Sequence, residues 1–398
     1  MKINVTDPRF YGGDPYPAYA WLREHAPVYW DDSSDAWVVS RHADVLQVSK
    51  NADVFRAEPS ILPDRDTPVS IACMDNPRHQ RLRKLVNKGF TPHQVAKLEP
   101  KARAIVTECL DSIAERGECD LVREVAVPLP MVIIAEMMGI PREHYERFYA
   151  WSDDLVAATT ATLDDPNAMA RAANAYVEYG AYLKEIFEAV RAEPRDDLVS
   201  ILVGAQAEGA LAEDEEAMEN DELVMFMTLL LVAGNETTRN AISGGMEALI
   251  RNPDQRVLLI AQPELMSRAV EEVLRYVSPI VCFRRTATRE TEIRGQRVEA
   301  GQKVVMLYQA ANRDSEVFDR PDEFDVTRSP NPHVAFGIGP HFCLGANLAR
   351  MEIRVALEEL LRRFPDMEFA AGSEPVRIAS TLVRGIESMP LVFTPSAA

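Results

Sequence analysis

Residues 220–251 constrain the fold more than any other stretch of this chain. Apolar side chains cover nearly every side of the first half, so a helix formed here runs through a core. At 1.5 Å per residue it is roughly 45 Å long. Its centre breaks the pattern with Ala233-Gly234-Asn235-Glu236-Thr237-Thr238. Glycine inside a helix costs about 1 kcal/mol against alanine, and buried polar groups cost more unless something uses them. Thr237 follows Ala233 by four residues, so its hydroxyl can bond that carbonyl and bend the helix. Such an opening over a flat cofactor has room for dioxygen and a water, and Glu236 beside it can relay protons.

Most of the remaining chain also reads as helix. The periodicity predicts helices over 15–25, 43–50, 78–89, 92–117, 127–138, 141–162, 166–191, 195–206, 253–261 and 263–277. Strand-like pieces fall at 27–30, 36–40, 291–298, 303–307 and 386–394. Residues 57–73 hold three prolines and read as a loop. No repeat, low-complexity tract or Gly/Ser linker divides the chain. The expectation is therefore one mainly α (α+β) domain over 1–398, a helical core with a small β-rich side region.

A net charge of −19 argues against nucleic-acid binding, which favours basic chains. Against that balance, residues 78–88 carry Arg78, Arg81, Arg83, Lys84 and Lys88 with no acid among them. Residues 208–222 are densely acidic and read as a solvated loop. No stretch reaches the roughly eighteen apolar residues a membrane span needs, and the N-terminus lacks an apolar signal core. Cysteines at 73, 109, 119, 282 and 343 form no CxxC pair, which fits a reducing compartment without zinc or disulfide framework. The expectation is a cytoplasmic monomer.

One of those cysteines has an unusual setting. Residues 336–345 read Phe-Gly-Ile-Gly-Pro-His-Phe-Cys-Leu-Gly, and a helix-favouring run follows at 346–361. Glycine and proline at this density make a tight irregular loop. Cys343, just ahead of a helix, meets free backbone amides that favour its thiolate. A thiolate held by backbone donors suits the axial position of haem iron. Phe336, seven residues earlier, can cover the sulfur, and His341, two earlier, can meet a haem propionate. Gly339 and Gly345 are small enough for backbone to approach a porphyrin. Two buried propionates need cationic or hydrogen-bonding partners. His79 and Arg83, four apart on the basic helix, supply them together with Arg285 and His341. Glu272 and Arg275, three apart, can form an ion pair on one helix face.

The pattern F-G-x-G-x-H-x-C-x-G resembles the cysteine-ligand loop of the cytochrome P-450 superfamily, the haem-thiolate monooxygenases. Residues 233–238 match that family's [AG]-G-x-[DE]-T-T oxygen-activation motif, about a hundred residues before the cysteine. Glu272-x-x-Arg275 resembles its K-helix motif, whose ion pair ties that helix to the segment before the cysteine loop. Its third member would be Arg313 or Arg328. The motifs occur in family order at 79–83, 233–238, 272–275, 285 and 336–345, and the likeness runs the length of the chain. One departure is Asn235 followed by Glu236, where many relatives carry Asp. Stretches at 83–90, 116–123, 151–156 and 387–390 look like the actinobacterial hydroxylases of sterol side chains.

The resemblance implies a cytochrome P-450 fold around haem b, iron protoporphyrin IX. Cys343 would be the iron ligand, and His79, Arg83, Ala233, Gly234, Arg285, Phe336, His341 and Gly345 would bind the cofactor. Glu236 and Thr237 would be the catalytic pair. The reaction implied is insertion of one atom of dioxygen into a hydrophobic small molecule: a steroid or sterol side chain, a terpenoid or a fatty-acid-like compound. A peroxygenase using hydrogen peroxide usually lacks the acid–alcohol pair, and a haem sensor would need a signalling domain absent here. The chain has no flavin or iron–sulfur motif, so electrons would come from a ferredoxin and its reductase. Arg78, Arg81, Lys84, Lys88 and Arg350 would form the docking patch for that acidic partner.

Overall fold

In a computed structural model, residues 3–160, 167–195, 197–207 and 220–396 are described. The acidic segment at 208–219 lies outside them. Asn220–Arg251 is one uninterrupted helix with the bounds its apolar pattern predicts. Helices Pro128–Met137, Met266–Val277 and Ala346–Arg363 pack against it. Leu223, Phe226, Leu231, Ile242 and Leu249 bury its sides in the largest apolar cluster, which also takes in Val273 and Ile353 from two of these neighbours. The central helix therefore carries its polar break into the middle of the molecule.

Several predicted helices change form at their ends. The basic helix is α over Arg78–Val86 and tightens into a 3₁₀ turn at Asn87–Phe90. The helix expected from 127 is preceded by a π turn, Val122–Ala126. The helix expected at 141–162 is α over Tyr145–Thr160 after a 3₁₀ turn, Arg142–His144.

The main sheet has five strands in the order Val28–Asp31, Ala36–Val39, Lys303–Leu307, Cys282–Ala287, Phe55–Arg56. Only the second and third pair in parallel. Cys282–Ala287 is a strand outside the strand-like pieces expected from the sequence. Its adjacent arginines hide the usual alternation, because both are buried. Arg285 and Phe283 line the cavity described below, whereas Arg284 reaches the loop 57–73 and ion-pairs with Asp66. The stretch 386–394 divides into Ile386–Ser388 and Pro390–Val392, which join different sheets. Among the described residues no helix is long and apolar enough to cross a membrane.

Candidate active site

A cavity of about 270 Å³ lies between the centre of the long helix and the cysteine loop. Ala233, Gly234 and Thr237 line it from the helix, and His79 and Arg83 from the basic helix. Arg285 lines it from the sheet, and Phe336, His341, Cys343 and Gly345 from the loop. Residues distant in sequence by up to two hundred and more positions thus meet at one space.

Cys343 is fixed through its backbone, whose N–H donates to the Phe336 carbonyl at 2.9 Å. Arg83 donates to the carbonyl of the preceding Phe342 at 2.6 Å, tying the basic helix to the loop. Burial pushes the Cys343 thiol up, while the Gly345 N–H and the charges of Arg83 and Arg350 oppose it. The amide donor expected from the sequence is present but is outweighed by burial. Metal ligation would complete the deprotonation.

The glycines act differently from one another. A Cβ on Gly345 would meet nothing within 4 Å, so this residue leaves open space. Gly339, at φ +79, instead allows close approach to Ser49 at the end of helix His42–Lys50, where a Cβ would lie 2.6 Å from a carbonyl oxygen. The space left by Gly234 is taken by Ile134 of the neighbouring helix. Gly339 therefore serves packing, a correction to its porphyrin-approach reading, whereas Gly234 both admits Ile134 and lines the cavity.

The four groups expected to meet propionates do converge. The rings of His79 and His341 lie 4.1 Å apart. Burial first, then the charges of Arg285, His79 and Arg83, push the His341 imidazole down to about 2. Two arginines, Arg83 and Arg285, beside neutral imidazoles that can donate hydrogen bonds call for anionic ligands. A flat dicarboxylate carrying iron fits: cations at one edge, a cysteine on the wall, and space beside Gly345.

On the central helix the Thr237 hydroxyl donates to the Ala233 carbonyl at 2.7 Å, as its spacing predicts. Glu236 does not line the cavity. It is buried, ion-paired with Arg239 one turn on, and its backbone carbonyl accepts from Asn240 at 2.7 Å. Burial raises its carboxyl above the ordinary range against the pull of Arg239 and Asn240. Asn235 donates to Ser152 at 3.2 Å, away from the acid.

Sequence reasoning missed Glu352. It lines the cavity from helix Ala346–Arg363, and burial pushes its carboxyl up to about 8 despite a hydrogen bond from Thr238. The signal was an acid between Met351 and Ile353 on a buried helix.

The Glu272–Arg275 pair is fully buried and bidentate, at 2.7 and 2.8 Å. Its third member is Arg328, at 3.1 Å from Glu272. Arg313 turns instead to Asp322 and stacks 4.1 Å over the Tyr276 ring. Arg78 and Arg350 of the expected docking patch are engaged within the chain. Arg78 ion-pairs with Glu222, and Arg350 forms a bidentate pair with Glu271 at 2.6 and 3.0 Å. Lys84 and Lys88 are exposed.

Comparison with known proteins agrees with this geometry. The family model for cytochrome P450 matches residues 25–259 and 256–391. Steroid C26-monooxygenase of Mycobacterium tuberculosis is 40% identical over 397 residues, covering 99% of this chain and 98% of that protein. Methyl-branched lipid omega-hydroxylase of the same organism is 40% identical over 400 residues, covering 95% and 90%. The solved structure of Mycobacterium marinum cytochrome P450 CYP268A2 in complex with pseudoionone has a TM-score of 0.90 at 34% identity, covering 99% of each chain. This chain belongs to the cytochrome P450 family and is a haem b monooxygenase that acts with dioxygen on a hydrophobic small molecule.

Proposed function

We propose that this monooxygenase hydroxylates the terminal methyl of a branched alkyl chain on a steroid or lipid, with electrons from an iron–sulfur ferredoxin. The observation that carries the substrate reading is the division of the cavity. Its polar groups gather at the His79–His341 edge and at Glu352, whereas Ile61, Ile71, Ile134, Met137, Phe226 and Leu230 form apolar wall. Such wall binds through buried area and offers a carboxylate or ammonium no partner. The end of the substrate that enters is therefore hydrocarbon. Relatives named steroid C26-monooxygenase and methyl-branched lipid omega-hydroxylase support a chain end of this kind.

In this reading Cys343 would ligate the haem iron, and His79, Arg83, Arg285 and His341 would hold the propionates. Ala233, Gly234, Phe336 and Gly345 would line the porphyrin's space. Haem, when bound, supplies the binding and activation of dioxygen. Thr237 spends its proton on the Ala233 carbonyl, so its oxygen accepts a hydrogen bond from a cavity water and holds that water in place. Glu236, kept out of the cavity by Arg239, replenishes protons from behind the helix. Glu352, protonated at neutral pH, is a second acid at the cavity wall. The apolar wall excludes bulk water and orients the hydrocarbon end within the cavity.

Turnover with a ferredoxin, its reductase and a steroid bearing a branched side chain is expected to give the primary alcohol at the chain end. Cys343→Ser is expected to lose both the product and the red-shifted Soret band of the ferrous carbonyl complex. Oxidation confined to the steroid rings would overturn the substrate reading, and a red-shifted band kept by Cys343→Ser would overturn the ligand assignment.

A further inference from the structure

Two adjacent acids on helix Met266–Val277 face different surroundings. Glu272 is fully buried against Arg275, whereas Glu271 is 30% exposed and opens on a groove that also exposes Arg350 and Glu99. Glu271 accepts two hydrogen bonds from one edge of the Arg350 guanidinium, at 2.6 and 3.0 Å, and takes a further contact from His333 at 3.0 Å. Arg350 and His333, from two other parts of the chain, thus converge on one partly exposed carboxylate.

What lies behind the pair is the cysteine loop. The Arg350 guanidinium sits 4.7 Å over the Phe336 ring, and the His333 ring is 6.0 Å from it. Phe336 lines the cavity, and its carbonyl holds the Cys343 N–H at 2.9 Å. The positive charge of Arg350 thus stands directly behind the residue that cradles the sulfur, and its field reaches Cys343. Burial works to raise the Glu271 carboxyl, but His333 and Arg350 bring it down to about 2. Glu271 is therefore anionic across the working pH range and balances that charge continuously.

We propose that Glu271 is a positioning residue that, by clamping Arg350 over Phe336 and balancing its charge, sets the reduction potential of the haem. This rests on the assignment of Cys343 as iron ligand. Reduction adds a negative charge to the haem–thiolate unit, so an uncompensated cation beside it favours the reduced form. With the clamp intact the cation is largely neutralised, and the potential is held low.

The test is spectroelectrochemical titration of the holoenzyme and its variants, each checked for the red-shifted ferrous carbonyl band. Glu271→Gln is expected to move the midpoint to more positive potential while keeping that band. Glu271→Asp, which keeps the charge, is expected to return it towards wild type, which a merely structural role would not do. Arg350→Gln is expected to move it the opposite way, and carries the test should Glu271→Gln fail to retain haem. Midpoints unchanged in Glu271→Gln and Arg350→Gln, with the band retained, would overturn the proposal while leaving Cys343 as ligand. Absence of the band in wild type would instead overturn the ligand assignment.

Discussion

Glu352 stands on the cavity wall nine residues after Cys343, with its carboxyl raised from 4.5 to about 8 by burial. In the unfolded chain the group ionises near 4.5, while in the fold it keeps its proton until about pH 8. Between those values the folded state binds the extra proton, so this residue lowers stability as pH rises through the window. Below it the penalty vanishes, and above it the penalty is constant, with a ceiling of ~5 kcal/mol at about 1.4 kcal/mol per unit. Glu352→Gln is expected to flatten the decline of Tm from about pH 5 to 8. Parallel Tm profiles for the variant and wild type would show that the carboxyl is not buried as a neutral acid. At this scale, what was legible in the sequence was whatever local spacing decides. The Thr237–Ala233 bond lies within one helical turn, and Cys343 sits in a dense Gly/Pro loop. Glu352 escaped notice because its burial depends on Thr238 and the cavity, both remote in sequence.

The helix Met266–Val277 is held by charges rather than by apolar area alone. Arg275 gives two hydrogen bonds to Glu272 and reaches the carbonyls of Asn312, Pro321 and Glu323. Glu272 in turn accepts from Arg328, Asn331 and the Asp325 N–H. One buried pair therefore pins the irregular segment that leads into the cysteine loop. Glu272→Gln would leave Arg275 and Arg328 buried with too little negative charge, at a cost of about 3–5 kcal/mol. Chemical denaturation of the holoenzyme should show that loss, together with weaker haem retention. A midpoint within error of wild type would show that the network is dispensable. The i, i+3 spacing revealed the pair, but Arg313 and Arg328 are equivalent in sequence, and only the path of the intervening chain separates them. The strand Cys282–Ala287 was obscure for a related reason, since Arg284 is buried against Ser60 and Asp66 of the remote loop 57–73.

Across the whole molecule, the acidic total of −19 would repel an acidic electron carrier. The exposed part of the basic helix runs against that field, and Arg83 ties it to the cysteine loop through the Phe342 carbonyl. Phe342 itself is 39% exposed, one residue from Cys343. An acidic ferredoxin meeting this face would find the exposed Lys84 and Lys88 on the segment that Arg83 joins to Phe342, charges that steer encounter and an apolar ring that seats it. Arg78 and Arg350 are already committed to Glu222 and Glu271, so the patch is narrower than the run of basic residues at 78–88 suggests. The sequence displays every one of these charges but not that Arg78 is neutralised from the central helix and Arg350 from the helix Met266–Val277. Reversing both Lys84 and Lys88 to Glu is expected to slow reduction by ferredoxin at low ionic strength about tenfold or more. The dependence on salt should flatten, because steering between exposed charges is screened within a Debye length of about 10 Å at 0.1 M. Rates of the variant and wild type should converge at high salt, with substrate affinity and the ferrous carbonyl spectrum unchanged. Stopped-flow reduction that stays as fast as wild type at low ionic strength would move the docking site away from this helix.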